Sequence, residues 1–589
     1  MGKSRCMKLA QLKNENKIDR YFTGQMFRRQ FFPAFVSAVV LSFGDAADAL
    51  VLGNRIGYIG LAAIGLTMPV SQIFNVIMNA FGIGGSVSFA QKMAQGKREE
   101  ALASFQGVFC ATALAGVAIA VFGNLLMTPL LRLLGTSPTD GALFTASLTY
   151  LRILLIGTPM LFLNYVLNYY LKNDNMEKEA SIAFTVGNAL DVSLNIVLVL
   201  FLNMGVAGAS LATVIGQTVG MTIATVSIFR KDGVLKLFPL RPDFSEVFDA
   251  FRSGFSSSIE FLYSMVFLLI ANNLLIQSSG GVGVAIFDVV LNMTYFMINL
   301  YDAVSKSLLP IISTYYGERN EDGMSLAQSL GIRYSLVIGV ALCALIVAFP
   351  GAVCQLFGLD TQTLLDVGAI ALRLFALSIP FAGVAILLEN YYEACEQERM
   401  TLLLASLRGI LPILLALLLI LCPDWMFWTV YPLTEVLTLL IFSVLSRRLA
   451  GNKFDSNRVY RKTLYSRSSE ISQASEEISE FCAHWGATPK QQYMTSMALE
   501  ELCVATMDNG FQGKNDGFIQ ITLIALDDQT FELHIRDNAD TFNPLAMEMK
   551  GSALDDDNLA ALGVMAIKKK AREFSYRHFQ GFNTVIICL

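Results

Sequence analysis

The chain has 589 residues, 54% hydrophobic and only 15% charged, with a mean hydropathy of +0.53 and a formal charge of −5. Soluble domains carry roughly 25% charged residues, and no soluble fold of this size hides so much apolar surface, so the composition points to a polytopic membrane protein embedded in a lipid bilayer. The same numbers exclude a disordered chain, a coiled coil, a disulfide scaffold and a basic nucleic-acid-binding protein.

In chain order, residues 1–30 form an N-terminal segment with eight Lys/Arg and no cleavable signal. Twelve spans follow, near 31–53, 60–94, 101–125, 142–171, 178–203, 205–229, 248–277, 281–316, 326–349, 361–394, 400–421 and 425–447; each reaches the ~20 residues a bilayer needs. They group as a first six-helix bundle over 31–235 and a second over 236–448. Basic residues cluster in the first 30 residues, at Lys92, Lys97 and Arg98, at Lys172 and Lys178, at Arg230, Lys231 and Lys236, and at Arg319, Arg399, Arg447 and Arg448. These are the even-numbered turns and both ends, so the positive-inside rule places both termini in the cytoplasm of a plasma or inner membrane. A polar linker is expected at 449–466, then a soluble domain at 467–589. Residues 451–589 hold 14 Lys/Arg and 19 Asp/Glu, nearly double the charge density of what precedes them. The nine cysteines lack a CxxC pair, which reads as reduced cytosolic usage.

The two halves look alike. Residues 65–101 and 283–323 are each a long apolar span carrying amides (Asn75 and Asn79; Asn292 and Asn299), then a short Gly-plus-charge turn, QGKREE or YGERNED. Such a repeat suggests two pseudo-symmetric bundles around a central cavity. DALVLGNRIG (48–57), the Gly85-Ser86 turn, QGKREEA, NALDVSLN with MGVAGASLATVIGQ (188–217), NNLLIQSSGG and YYGERNED, in that order, resemble the multidrug and toxic compound extrusion (MATE) transporters over roughly residues 30–448.

Charge at mid-bilayer is costly, so intramembrane acids are functional candidates. Asp45 and Asp48 are three apart, on one face of the first span, and Asp191 and Asn195 are an i, i+4 pair in the fifth. Three carboxylates sharing one poorly solvated space would have a pKa raised toward physiological values, as proton-coupled export requires. The resemblance implies that Asp48 is the protonated aspartate of the first helix. It also implies a departure, since the family's fifth-helix order is Asn then Asp, and here Asp191 precedes Asn195. Glu260 falls in the helix that carries a cation-linked glutamate in the sodium-coupled branch. Asp288 is a further candidate; Asp302 and Glu435 are expected near an interface, and Pro33 either bends the first span or marks its start. The coupling ion is H+ or Na+.

The soluble part reads as two helices (468–485 and 488–511), strands at 518–526 and 530–537 joined by Asp527-Asp528-Gln529, a helix at 556–573 and strands at 574–579 and 583–589. This is an α/β sandwich with one helical layer on an antiparallel sheet. ALEELCVATMDNGF (498–511), RDNADTFNP (536–544), LAALGVMAIKKKAREFSY (559–576) and GFNTVIICL (581–589) resemble the histidine-kinase-like ATPase fold, in its anti-sigma-factor serine kinase branch. The resemblance implies that Asp537 receives adenine, that Glu501 acts as base, and that Gly563 and Thr584 lie at the nucleotide. The magnesium-ligand position is Ala505, with Asn509 one turn on, and the adenine-loop glycine is Ala539. These departures count against ATP as a cofactor, and the domain is expected to be a regulator of, or docking module for, the transporter, with a cytoplasmic regulatory protein as partner. The leading expectation is secondary active export of small organic cations. The alternatives are a membrane-tethered serine kinase or ATPase and a lipid-linked precursor flippase. A Walker loop is missing from the sequence, which counts against primary ATP-driven export.

Overall fold

The computed structural model describes residues 2–16 as backbone and, beyond them, residues 17–95, 97–174, 176–230, 235–237, 242–244, 247–256, 258–419, 423–449, 454–465, 468–511, 517–526, 530–540, 542–546, 556–579 and 581–589. Gly96 of QGKREE, Lys231, the turn Asp527-Asp528-Gln529 and Thr541 of the adenine-like loop lie outside the described residues.

The first half comprises α1 (Gly2–Asp45), α2 (Ala47–Ile56), α3 (Tyr58–Ala94), α4 (Arg98–Leu125), α5 (Met127–Leu133), α6 (Ala142–Asn173), α7 (Glu177–Asn195), α8 (Gly205–Arg230) and α9 (Val247–Ser256). The second comprises α10 (Ile259–Gly317), α11 (Glu321–Ala348), α12 (Pro350–Leu356), α13 (Gln362–Ala376), α14 (Ile379–Ala394), α15 (Glu398–Leu419) and α16 (Val430–Leu449). Among the described residues nine helices are long and apolar enough to cross a membrane, and eleven segments are when the bent pairs α1–α2 (41°) and α13–α14 (43°) each count as one. The 59-residue α10 is itself broken at Gly280, whose φ of 62° is left-handed. Its arms fold back on each other, with the Phe267 and Phe287 rings 6.1 Å apart.

Three expectations change. Helix α1 runs unbroken from Gly2, so 30/31 is no structural boundary, and its bend lies at Ala46 while Pro33 sits inside the helix. The seventh span begins at Ile259, because residues 247–256 form the separate α9 against α3. There Gly84 meets the Ala250 carbonyl and Gly254 meets the Ala80 carbonyl, a crossing too close for any side chain. The expected linker contains β1 (Val459–Leu464), the edge strand of the soluble sheet. Its polar composition hid it, because its residues find polar partners on both faces.

The soluble domain adds α17 (Ser468–His484), α18 (Pro489–Ala505), β2 (Ile519–Ala525), β3 (Phe531–Asp537), α19 (Asp556–Lys570), β4 (Glu573–Phe579) and β5 (Phe582–Cys588). The five strands are antiparallel in the order β1-β2-β3-β5-β4. Directly paired residues share a face. Leu464, Ile519, Ile521, Leu523, Leu533 and Ile535 therefore point one way, into a core with Ile478, Leu499 and Leu502 of the helical layer. The opposite face carries Arg461, Gln520, Thr522, His534, Arg536 and Thr584. It lies against α1 and the α10–α11 turn, where Ile18, Phe22, Ile311 and Tyr315 form one cluster with Phe518 and Phe582.

Gly84→Ala forces the α3–α9 crossing apart, at a cost of about 1–3 kcal/mol. The purified variant is expected to melt several degrees below the parent in a detergent thermal-shift assay, whereas Gly351→Ala, at a glycine with open space around it, leaves the midpoint unchanged.

Candidate functional site

The bend at Ala46 determines where the acids go. Asp45, at the end of α1, accepts from the Asn299 amide of α10 at 3.1 Å, and Ser42 accepts from the same amide at 3.1 Å. Asp48, in the first turn of α2, turns instead toward α7 and accepts a hydrogen bond from Asn195 Nδ2. The expectation that Asp45 and Asp48 share a face is therefore corrected: the bend rotates them onto different halves of the bundle.

Asp191 and Asn195 both line the Asp48 site. The Thr213 hydroxyl of α8 donates to Asp191 Oδ1 at 3.2 Å and also lies within reach of Asp48, bridging the two carboxylates. Close approach at Gly187 and Gly216 brings α7 and α8 together there. Asp288 of α10 is the third acid. It is fully buried, its Oδ2 receives Asn292 Nδ2 at 3.3 Å, and its Oδ1 is buried without a partner. Its β-carbon packs at Gly65 of α3, and Asn272 donates to the Gly65 carbonyl at 2.9 Å, which ties the halves together. Tyr150 of α6 lies within electrostatic reach of Asp48, Asp191 and Asp288. The three acids that gather are therefore Asp48, Asp191 and Asp288, where the sequence led one to expect Asp45 as the third. Thr213 falls within MGVAGASLATVIGQ, where a threonine gives no signal of its own, and Tyr150 gives none either.

Glu260 belongs to a second cluster. Arg408 of α15 donates to Glu389 Oε2 at 3.2 Å and pairs with Glu435 Oε1 at 3.3 Å, and Glu260 adjoins Glu389. Glu435 is thus buried between helices, its side chain only 12% exposed. The four side chains line a cavity of about 220 Å³ with Tyr263, Phe267, Thr294, Tyr431 and Thr434. Three carboxylates face one guanidinium among aromatic rings, a lining suited to a cation. Asp302 pairs with Lys306 at 2.8 Å on an exposed helix face.

In the soluble domain Asp537 is 2% exposed. Its Oδ1 accepts from the Ala539 amide at 2.9 Å and from Asn583 Nδ2 at 2.7 Å. Asn583 Oδ1 in turn accepts from the Tyr576 hydroxyl at 2.8 Å and lies 2.7 Å from His578 Nδ1. Asn583 stands opposite Asp537 in the strand register, whereas Thr584 pairs with Arg536 and so lies on the other face, which corrects its expected place at the nucleotide. Ala505 is buried and the Ala539 methyl packs against Gly510, where Asn509 is half-buried. Glu501 lies over Gly563, where a β-carbon would stand 2.5 Å from its carboxyl carbon. Burial, and then the charge of Glu500, raise the Glu501 carboxyl above its ordinary value.

An all-helical membrane body of two like halves with acids at their junction, joined to a small α/β domain, defines a multi-pass secondary transporter with a soluble appendage. The MatE family profile matches the chain twice, at residues 33–197 and 253–418, and the histidine kinase-like ATPase domain profile matches residues 465–589. The chain belongs to the MATE family. The probable multidrug resistance protein NorM of Thermotoga maritima is 24% identical over 59% of this chain and 74% of its own length. The probable multidrug resistance protein YoeA of Bacillus subtilis is 26% identical over 56% and 73%. A protein of Shewanella oneidensis named FAD transporter is 21% identical over 58% and 76%. A solved inward-facing MATE family transporter superposes with a TM-score of 0.63 at 20% identity, covering 71% of this chain and 98% of that one. An outward-facing one gives 0.53 at 21% identity, covering 72% and 96%. The two profile matches fall on the two halves read as a repeat in the sequence.

Arg408→Met strands Glu389 and Glu435 without a counter-charge, a loss of about 3–5 kcal/mol. The expected result is a sharp fall in monodisperse yield on size exclusion. Adding Glu389→Gln and Glu435→Gln to the same variant is expected to recover most of it.

Proposed function

We propose that the chain is a secondary antiporter that exports small organic cations, coupled to an inward proton gradient, with its termini in the cytoplasm and its soluble domain regulating transport without hydrolysing nucleotide. The observation that carries this reading is the Asp48 site: two carboxylates bridged by Thr213 and held by the Asn195 amide, beside a third acid from the other half. Like charges in a poorly solvated space disfavour double ionisation, so such a group takes up a proton when the site faces one side and gives it up when hydration changes. Asp48 and Asp191 would carry the proton, Asn195 would position Asp48, and Asp288 would relay rearrangement between the halves.

The proton is taken as the coupling ion because a single proton shared between Asp48 and Asp191 relieves their double charge with the side chains already in place. The cavity around Glu260, Glu389 and Glu435 supplies carboxylates and aromatic faces for the cationic cargo. A multidrug role agrees with the names of two of the relatives. Regulation by the soluble domain is supported by its docking on the transport body.

The test is flux in proteoliposomes under an imposed pH or sodium gradient, with a monovalent organic cation dye and with FAD as the anionic probe. Dye flux is expected to follow the pH gradient alone, and Asp48→Asn is expected to reduce it to the level of empty vesicles while expression stays intact. Flux driven by sodium alone would sink proton coupling, and unaltered flux in Asp48→Asn would sink the assigned site. Magnesium-ATP added on the soluble-domain side is expected to change nothing, in the parent or in Glu501→Gln.

A further inference from the structure

The soluble sheet buries a face that its sequence pattern would leave in water. Gln520, Thr522, His534 and Arg536 alternate with the core residues of β2 and β3, yet each is less than a tenth exposed. What covers them is this chain's own α1 and the turn between α10 and α11. Arg536 Nη2 donates to Glu318 Oε2 at 2.6 Å, both side chains being 2% exposed. The guanidinium lies over the Phe22 ring of α1, 4.0 Å from its centroid, and near Tyr315 at 5.4 Å. Arg461 of β1 donates to Asn320 Oδ1 at 2.8 Å and to the Arg319 carbonyl at 2.7 Å, in the turn just past the end of α10. Asp19 of α1 accepts from Asn320 at 3.2 Å and from Gln520 at 3.1 Å, and its carbonyl receives the Tyr315 hydroxyl at 3.1 Å. Three separate elements, the sheet, α1 and the α10–α11 turn, are thus closed into one buried polar network.

The location of this network gives it consequence. The near half of α1 is bound to the second half of the transporter, through Phe22 on Tyr315 and Phe27 on Tyr334. Beyond the Ala46 bend, α2 hands Asp48 to α7 of the first half. At the end remote from the soluble domain the halves are joined, Asn54 donating to the Leu356 carbonyl at 2.8 Å and Asn273 to the Leu133 carbonyl at 2.9 Å. Rocking that opens this remote end by carrying α1 along with the first half would move it against the second half, and the sheet, gripping both, would oppose that motion.

We infer that the polar sheet face is a brake: by gripping α1 and the α10–α11 turn together through Arg536, Glu318, Arg461 and Asp19, the soluble domain holds the conformer whose remote end is closed and so limits the transport rate. This deepens the regulatory reading above and rests on it. A signal reaching the domain on its helical side would act by loosening the grip, with no chemistry on a nucleotide.

Full-length Arg536→Met and Glu318→Gln are compared with Arg536→Lys, which keeps the charge, in the proteoliposome assay normalised to monodisperse protein. The first two are expected to raise dye efflux at least threefold, while Arg536→Lys stays within twofold of the parent. Spin labels at the exposed Tyr493 and Leu336 positions report the grip directly. Their distance distribution is expected to be narrow in the parent and broad in Arg536→Met. A chain lacking residues 455–589 tests the broader reading. If deletion alters efflux but Arg536→Met and Glu318→Gln do not, the brake is wrong and regulation stands; if none of the three changes efflux, both fall. Lower efflux in well-folded Arg536→Met also overturns the brake.

Discussion

A carboxylate set among hydrocarbon-facing helices must find a donor, and at Asp48 that donor is the Asn195 amide of α7. This one contact ties the second helix to the seventh and places Asp48 and Asp191 around Thr213. It is available only because the first span bends at Ala46. A straight helix would carry Asp45 and Asp48 on one face, and the two acids would compete for the same surroundings. The bend instead gives Asp45 to Asn299 of one half and Asp48 to Asn195 of the other. The bent helix thus joins the halves, each acid hydrogen-bonded to a different one, while the apolar face of α1 packs on α10 and α11.

Polar groups buried in pairs recur through the molecule and do different work in each place. Arg408 balances two glutamates beside a cavity in the second half, where loss of either partner exposes a raw charge to low dielectric. Arg536 and Glu318 form a buried ion pair across the junction with the soluble domain, stacked on Phe22. Asp537 and Asn583 close on each other where the family resemblance leads one to look for adenine. In that last case the Asp537 carboxylate is held in place by the Ala539 amide and by Asn583 on the facing strand.

Much of this was legible from residue order. Composition demanded a membrane protein, the Gly-plus-charge turns exposed the repeat, and quoted motifs such as NALDVSLN and YYGERNED carried the family. Asp48, Asp191 and Asp288 could be nominated because charge among apolar residues is conspicuous, and Asn195 as the i, i+4 partner of Asp191. Thr213, Tyr150 and Asn583 could not, since a threonine in a span, a tyrosine in a helix and an asparagine in a strand have unremarkable local roles until their neighbours are known. Strand β1 went unseen because its arginine and lysine look solvated, although Arg461 reaches the transporter and Lys462 lies 2.9 Å from Glu477 of α17.

Periodicity and hydropathy are properties of short windows, so the chain by itself determined which segments leave water, which acids remain among them, and that a charged α/β domain follows. Tertiary structure decided the partners. Which half each acid serves depends on a 41° bend that no local pattern encodes, and which face of the sheet is wet depends on a helix more than 500 residues away, since Asp19 meets Gln520 only in the folded chain. Burial and pairing are set by what arrives from elsewhere in the chain, and that information appears only once the halves and the domain are packed together.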